Sequence, residues 1–506
     1  MSVTFKTVPP ELSQPEFNAE RQAFCNRLNA ITSTGVGAGD YTYLIRKNGA
    51  VYEAYDSTSS LIFGGSGNAG GATGTSGYAV AAAALAAMTT GGRLHLACDL
   101  NLGTNELTVT LTKDTGLFMI TGEGKSKSKF TFTGTGHALR IVTADVAPGY
   151  YYFALKDFQI DCVSKTSGRS GLYLAVMGRI GVIDHLDIKN VDSGVVLTDC
   201  NVMRLSNVRV DVANNGYILN STGGSETNEC TFINCDAIWT DVIGVDVQGG
   251  DSNHWFGGSI APHAGIGMQF YGTHGASVNG VHFEGEAAFT TFVFLTGSSS
   301  SFPCVNICLN ECYFDAHGYA EYNVKILYAL KTKIDSPVGY AGGTATAGSI
   351  YLANEQQELT LINPDFYETY LLGSDPGSML TSRLAGTVIE AKRTGLIVKA
   401  GETVAVNDLV KWTTGGVVVK TTGLDENCVS SVMYPQVSGQ PIVIVSSGVS
   451  QVKVDAAATG IYTLVSSDTA GQAFCDNSVT ISKKVLGYSL ETSGGAGTVW
   501  YLKAGG

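Results

Sequence analysis

A strand-like phrase recurs eight times between Lys156 and Glu368, and its rhythm narrows the possible folds more than any other property of the chain. The copies are Lys156-Asp-Phe-Gln-Ile-Asp161, Asp184-His-Leu-Asp-Ile-Lys189, Ser206-Asn-Val-Arg-Val-Asp211, Asn234-Cys-Asp-Ala-Ile-Trp239, Phe256-Gly-Gly-Ser-Ile-Ala261, Asn279-Gly-Val-His-Phe-Glu284, Asn310-Glu-Cys-Tyr-Phe-Asp315 and Asn363-Pro-Asp-Phe-Tyr-Glu368. Their starts are 28, 22, 28, 22, 23, 31 and 53 residues apart. A strand unit of this length cannot bury its apolar face alone, so successive copies must stack into a solenoid.

A second phrase keeps the same beat. Gly171-Leu-Tyr-Leu, Gly194-Val-Val-Leu, Gly216-Tyr-Ile-Leu, Gly244-Val-Asp-Val and Gly267-Met-Gln-Phe start 23, 22, 28 and 23 residues apart. Each coil therefore carries at least two short strands, with Gly, Asn, Asp and Ser at the corners. Alternation puts Phe158/Ile160, Leu186/Ile188, Val208/Val210, Val281/Phe283 and Cys312/Phe314 on one face. It puts Asp187, Arg209, Glu284 and Asp315 on the other. Stacking buries the first face and leaves the second as an outward ladder, which is an all-β parallel β-helix. The register strains at Asp236 and Asp365, where an acid falls on the inward side.

Composition agrees with that architecture and excludes several functions. A chain of 506 residues outgrows one compact core, whereas a solenoid grows by addition. With 63 Gly and 15% charged residues it suits turns and strands. Its formal net charge of −13, without any block of Lys or Arg, argues against nucleic acid or an anionic membrane as partner. The Ala-rich stretch Tyr78–Met88 is about half the length needed to cross a bilayer and predicts a capping helix. Met1 to Pro10 lacks the basic start and apolar run of a signal peptide. Eleven scattered Cys read as buried free thiols. Cys304, Cys308 and Cys312 are expected together on the core face instead of around a metal, and no cofactor is expected.

Along the chain, residues 1–40 read as an attachment segment and linker. Residues 41–90 read as a hairpin around Asn48-Gly49 followed by the capping helix. Residues 91–385 form the expected β-helix. From about Gly386 to residue 506 the coil period gives way to short strands and tight turns, which predicts a separate small β-domain for oligomerisation or glycan binding. The order of Ala-rich helix, Gly91-Gly-Arg-Leu-His-Leu-Ala97 and Ile120-Thr-Gly-Glu-Gly124 resembles the entrance of pectate-lyase-like right-handed β-helices, including those of phage tailspikes. The Ala400-Gly-Glu-Thr-Val404 and Val485-Leu-Gly-Tyr488 phrases resemble decoration-type domains of phage particles. The resemblance implies a right-handed single-stranded β-helix in a virion tail and a homotrimer. It also implies attachment to tail proteins through the N-terminus and a bacterial surface polysaccharide, capsule or lipopolysaccharide, as the partner.

No nucleophile elbow, Walker loop, dinucleotide fingerprint or zinc spacing is present. The chemistry must then lie on the outward ladder. Its last position runs Asp161, Lys189, Asp211, Trp239, Ala261, Glu284, Asp315, Glu368, and the one before runs Gln159, Asp187, Arg209, Ala237, Ser259, His282, Tyr313, Phe366. Rungs about 4.8 Å apart bring Glu284 and Asp315 together. Glycoside hydrolysis needs such a pair, one carboxyl donating a proton to the leaving oxygen and the other acting as nucleophile or base. Glu284 is the expected acid and Asp315 the expected nucleophile or base, with His282 tuning either. Trp239, Trp255 and Tyr313 are expected to bind sugar rings, helped by Asp251 and His254, with His263 and Glu286 in nearby turns. A rival constellation is Asp187, Lys189, Arg209 and Asp211, which fits either a uronate lyase or plain cross-strand ion pairs. The lyase phrase Arg-x-Pro-x-x-Arg is absent. Solvated ladder charges on a non-catalytic glycan-binding or structural fibre remain the competing interpretation of the whole face.

Overall fold

The computed structural model describes residues 41–363 except 113–115, 145–151, 176–178, 222–225, 286, 298–301, 340–344, 347 and 353–358. Beyond 363 it describes segments 372–373, 386–390, 393–405, 408–413, 418–420, 428–432, 438, 441–454, 463–466, 473–476, 487–489 and 497–503.

The repeat folds as a parallel β-solenoid of about nine turns. Each coil contributes three strands, one to each of three parallel sheets, where the sequence periodicity resolved two. The inward positions make continuous ladders. On the first sheet the register runs Leu205, Phe232, Trp255, Val278, Leu309, Ile334 and Leu361. On the second it runs Ile160, Ile188, Val210, Ala237, Ile260, Phe283 and Phe314. On the third it runs Leu172, Val195, Tyr217, Val245, Met268, Val293 and Val324. These side chains are buried and form one core along the axis. Like stacks on like: Phe283 and Phe314 lie parallel with centroids 5.1 Å apart, and Phe232 lies parallel to Trp255 at 4.5 Å. Each such buried side chain contributes about 1.5–3 kcal/mol of apolar transfer, and the core Tyr217 keeps its hydroxyl satisfied by donating to the Val208 carbonyl at 2.8 Å.

The corners explain why Asn, Asp or Gly recurs at the first or second position of the phrases. Between first and second sheets the chain turns on one or two left-handed residues per coil, among them Asn207 (φ 53°), Asn234 (φ 50°) and the pair Gly257 (φ 65°) and Gly258 (φ 88°). Asn tolerates that conformation better than other side-chain-bearing residues. The glycines of the second phrase serve a different purpose. Gly171, Gly194, Gly216, Gly244 and Gly267 stack at the entry to the third sheet, where an added Cβ would strike a neighbouring coil. On Gly216 it would strike the Gly244 carbonyl oxygen, and on Gly244 it would sit 2.5 Å from the Gly267 oxygen.

The N-terminal end is closed by the strands Tyr43–Asn48, Val51–Asp56 and Leu61–Gly64 and by the helix Gly77–Ala87. Ser76 caps the helix, its hydroxyl accepting from the Ala79 N–H at 3.2 Å. Val80, Ala81, Ala84 and Leu85 are buried and belong to the solenoid's core cluster. The strand Tyr43–Asn48 also pairs in parallel with Gly92–Leu96, so the cap is hydrogen-bonded to the first coil. Among the described residues no helix is long and apolar enough to cross a membrane.

At the other end Gly386–Glu390 still pairs in parallel with Leu359–Ile362, and the antiparallel pattern begins with Arg393–Lys399. Leu409–Trp412 pairs antiparallel with Val418–Lys420 and Cys428–Ser431. Ala400, Val404, Val410, Val418, Val432 and Ile444 form a small core of their own.

Three sequence expectations need correction. The 53-residue gap before Asn363 hides a further coil, whose second-sheet rung is the two-residue strand Val338–Gly339. Pro337 and the brevity of that strand leave no alternation to detect. The rung at 234–239 is displaced by one residue: Asp236, not Ala237, lies level with Arg209, and Ala237 is buried. The three cysteines do not share the core face. The chain turns at Asn306 and Glu311, so Cys304 and Cys312 are buried while Cys308 is half-exposed, its Sγ 3.2 Å from Asn310 Oδ1.

Candidate functional site

The outer face of the second sheet carries the ladder of charges anticipated from sequence. Proceeding along the axis, its rungs present Asp187/Lys189, Arg209/Asp211, Asp236/Ile238, Ser259/Ala261, His282/Glu284 and Tyr313/Asp315. Two small residues at the fourth rung separate a charged cluster from a second group containing the expected acid pair.

Glu284 stands directly opposite Asp315, and His282 opposite Tyr313. The His282 and Tyr313 rings lie 5.0 Å apart at a tilt. Glu284 is half-buried, while Asp315 is only 8% exposed, further in than an outward ladder position predicts. Its Oδ1 lies 3.3 Å from His317 Nε2, within ion-pair distance although the two are not aligned as a hydrogen bond. Among the described residues the buried His282 Nε2 has no hydrogen-bond partner. Two adjacent carboxyls, one reachable from solvent and one backed by an imidazole, with an aromatic ring beside them, form an arrangement capable of acid and nucleophile chemistry on a glycosidic bond. Trp239 sits at the edge of this face, two rungs from Glu284. It occupies a left-handed corner (φ 54°) and is 51% exposed.

The charged cluster is knit differently from the cross-strand checkerboard. Arg209 Nη2 bonds Asp211 Oδ2 on its own strand at 3.1 Å. Asp187 Oδ1 instead receives Lys125 Nζ at 2.7 Å, delivered by the turn after Gly124, 62 residues earlier. Asp236, brought outward by the register shift, accepts the Ser259 N–H at 2.8 Å. Burial raises its carboxyl above the ordinary aspartate value, against the Ser259 bond and the charges of Arg209 and Lys125. Sequence did not point to Lys125 or Asp236, since the first arrives from a distant corner and the second was assigned inward.

The remaining expected binders fall elsewhere. Trp255 is 1% exposed, sandwiched in the core between Phe232 and Phe270, and is no sugar platform. Alternation on His254–Phe256 sends Trp255 inward and exposes Phe256, so the outward aromatic is its neighbour. His254 is on the first sheet, its Nδ1 2.8 Å from Ser277 Oγ, and burial lowers its imidazole. Asp251 is in the turn before that strand, 3.2 Å from His274 Nδ1. Neither reaches the Glu284 face. His263 pairs with Asp241 at 3.0 Å, and Glu286 and Asp365 lie outside the described residues.

The geometry defines a β-solenoid with an acid-bearing outer face. No protein-family model and no curated protein sequence matches this chain. Among solved structures it is similar to the enzymatically active domain of tailspike protein 2 of bacteriophage CBA120, with 12% identity, a TM-score of 0.45, and coverage of 84% of this chain and 74% of that one. It is similar also to the gp42 tailspike of Acinetobacter phage vb_AbaP_AS12, with 13% identity, TM-score 0.44, and coverage of 83% and 78%. A third likeness is to the A-module of the Azotobacter vinelandii mannuronan C-5 epimerase AlgE6, with 13% identity, TM-score 0.39, and coverage of 63% and 97%. These likenesses assign no role to any residue of this chain.

Proposed function

We propose that this chain binds a bacterial surface polysaccharide along the outer face of its second sheet and hydrolyses it there, as the tailspike of a phage particle. The observation that carries the proposal is the register of Glu284 against Asp315, with His282 against Tyr313, on adjacent rungs of the second sheet. Rungs about 4.8 Å apart suit the roughly 5–5.5 Å carboxyl separation of retaining glycosidases better than the wider spacing of inverting ones. In this reading Glu284, the more open of the two, protonates the leaving oxygen. Asp315, with His317 Nε2 at 3.3 Å behind it, attacks the anomeric carbon, and Glu284 then takes a proton from the water that releases the sugar. Trp239 offers a flat apolar face two rungs away, a distance of about two sugar units along a chain. Attachment through residues 1–40 and assembly as a homotrimer belong to the same reading.

A second reading, a β-helical lyase, is favoured by the cations Lys125, Lys189 and Arg209 around Asp187 and Asp236, which suit a uronate carboxylate. Incubation with host capsule or lipopolysaccharide separates these readings. Hydrolysis releases new reducing ends without ultraviolet absorbance, lysis adds the absorbance of an unsaturated uronate, and an unshortened polymer leaves a binding fibre. Glu284→Gln and Asp315→Asn are each expected to lower reducing-end release by about 10²–10⁴-fold with an unchanged melting curve. Full activity in both variants sinks the assignment.

A further inference from the structure

The third sheet carries a pocket that the acid face does not use. It has a volume of about 470 Å³ and is lined by Gln248, Gln269, Glu226, Gly249, Tyr271 and Phe302, together with Ser221. Gln248 and Gln269 lie on adjacent coils of that sheet, as do Asp246 and Gln269 in direct register. Asp246 lies behind them, only 6% exposed and absent from the pocket lining. Its two oxygens take one amide each: Gln248 Nε2 donates to Oδ2 at 2.6 Å and Gln269 Nε2 to Oδ1 at 3.2 Å. A carboxylate only accepts, so both amide nitrogens are turned to it. Each amide spends one N–H on Asp246 and retains a carbonyl oxygen and a second N–H, for which the described residues supply no partner. Beside these amides stand two aromatic rings, Tyr271 and Phe302, with centroids 6.4 Å apart and planes 51° from parallel. Phe302 is 43% exposed, so its ring is open to a ligand.

The charge of the pocket selects its ligand. Glu226 lines it and Asp246 lies beneath it, while no Lys, Arg or His is among the described lining residues. An anionic sugar would meet the Glu226 carboxyl, with Asp246 beneath it, and no cation among the described lining residues. A neutral pyranose presents hydroxyls that both donate and accept, matching paired amides, and a C–H face that lies on an aromatic ring. Gly249, at φ 79°, keeps the floor low where any side chain would project.

We infer that this pocket binds a neutral sugar unit, such as a hexose or N-acetylhexosamine, as an anchoring site apart from the hydrolytic face, with Asp246 as the positioning residue that fixes both amides. The inference goes beyond the proposed hydrolysis and does not need it, because the pocket lies on a different sheet from Glu284 and Asp315.

Saturation-transfer NMR on the full chain tests it, with methyl glucoside, N-acetylglucosamine and glucuronate as probes, in both the parent and the Glu284→Gln/Asp315→Asn variant. At least one neutral probe is expected to bind in the millimolar range in both proteins, and glucuronate at least about 10-fold more weakly, a difference of about 1.4 kcal/mol. Phe302→Ala is expected to weaken the neutral probe at least about 5-fold, and the size-preserving Gln248→Met to do likewise with an unchanged melting curve. Equal binding of glucuronate, silence from both neutral probes, or unchanged affinity in both pocket variants overturns the inference. Loss of polymer cleavage in Gln248→Met with sugar binding intact overturns the anchoring role in favour of a catalytic one. Because binding is read in the cleavage-dead variant, failure of the hydrolase reading leaves this result interpretable.

Discussion

At the scale of single residues, burial sets several titrations against the ordinary behaviour of the side chain. His95 is 4% exposed, its Nδ1 3.0 Å from Thr121 Oγ1, and burial, with the nearby Arg93 charge, lowers its imidazole. His137 and His254 are lowered by burial as well. The folded chain therefore holds these rings neutral where the unfolded chain takes up protons, from about pH 6.5 downward. Their contribution to stability is complete above that value and is lost as pH falls through the lowered folded values. Asp246 works in the opposite sense: burial raises its carboxyl, so its contribution is present at low pH and is lost as pH rises through the raised value. Just below pH 6.5 the histidines govern, and the urea midpoint is expected to fall between about pH 7 and about pH 5.5. His95→Gln, which keeps a partner for Thr121 and removes the titration, is expected to flatten that fall. A slope identical to the parent's would show that His95 does not contribute.

At the scale of the element, the unit that matters is the rung. The glycine column from Gly171 to Gly267 shows why residues without side chains recur where alternation calls for apolar ones. The third-sheet strand enters so close to the next coil that the Cβ position is already taken by backbone oxygens and by inward side chains such as Ile188 and Val210. Gly216→Ala is expected to cost about 1–3 kcal/mol through forced displacement of the neighbouring coil, read as a lower urea midpoint. Gly67→Ala, where an added Cβ meets nothing within 4 Å, is expected to leave the midpoint unchanged and serves as the control. Element by element, the sequence was most informative where β-branched and aromatic residues alternate with polar ones, as at Val208/Val210 and Phe283. It failed at Asn234–Trp239, where the corner residue, at φ 50°, stands one position earlier in the phrase than in the neighbouring copies, so that Asp236 turns outward and Ala237 inward. It failed again at Val338–Gly339, too short to show a period. Trp255 was misplaced because its strand is three residues long, and composition favoured the surface while packing on Phe232 sent the ring inward.

At the scale of the whole molecule, a solenoid leaves two open ends, and each must be covered by something that stops further stacking. Here the helix Gly77–Ala87 and the hairpin of Tyr43–Asn48 with Val51–Asp56 cover the first coil. Ala84 is fully buried in that cap. Ala84→Asp is expected to lift the helix by burying an unpaired charge, exposing Leu100 and Leu107 of the first coil and causing self-association visible in light scattering of eluted protein. A variant that elutes and scatters as the parent does would show that the coil needs no such cover.

What the amino-acid sequence by itself determined is the winding: strand period, inward identity and corner chemistry are local, since each depends on residues two to six positions apart. Glu284 and Asp315, 31 residues apart, could be paired from sequence because the coil length between them is part of that same period. The tertiary structure alone decided everything that joins distant corners. It delivered Lys125 to Asp187, brought Gln269 from the next coil to Asp246, and shaped the pocket in which Phe302 meets Tyr271. Those contacts depend on which coil lies beneath which and on how far each loop reaches, and neither quantity is written in alternation.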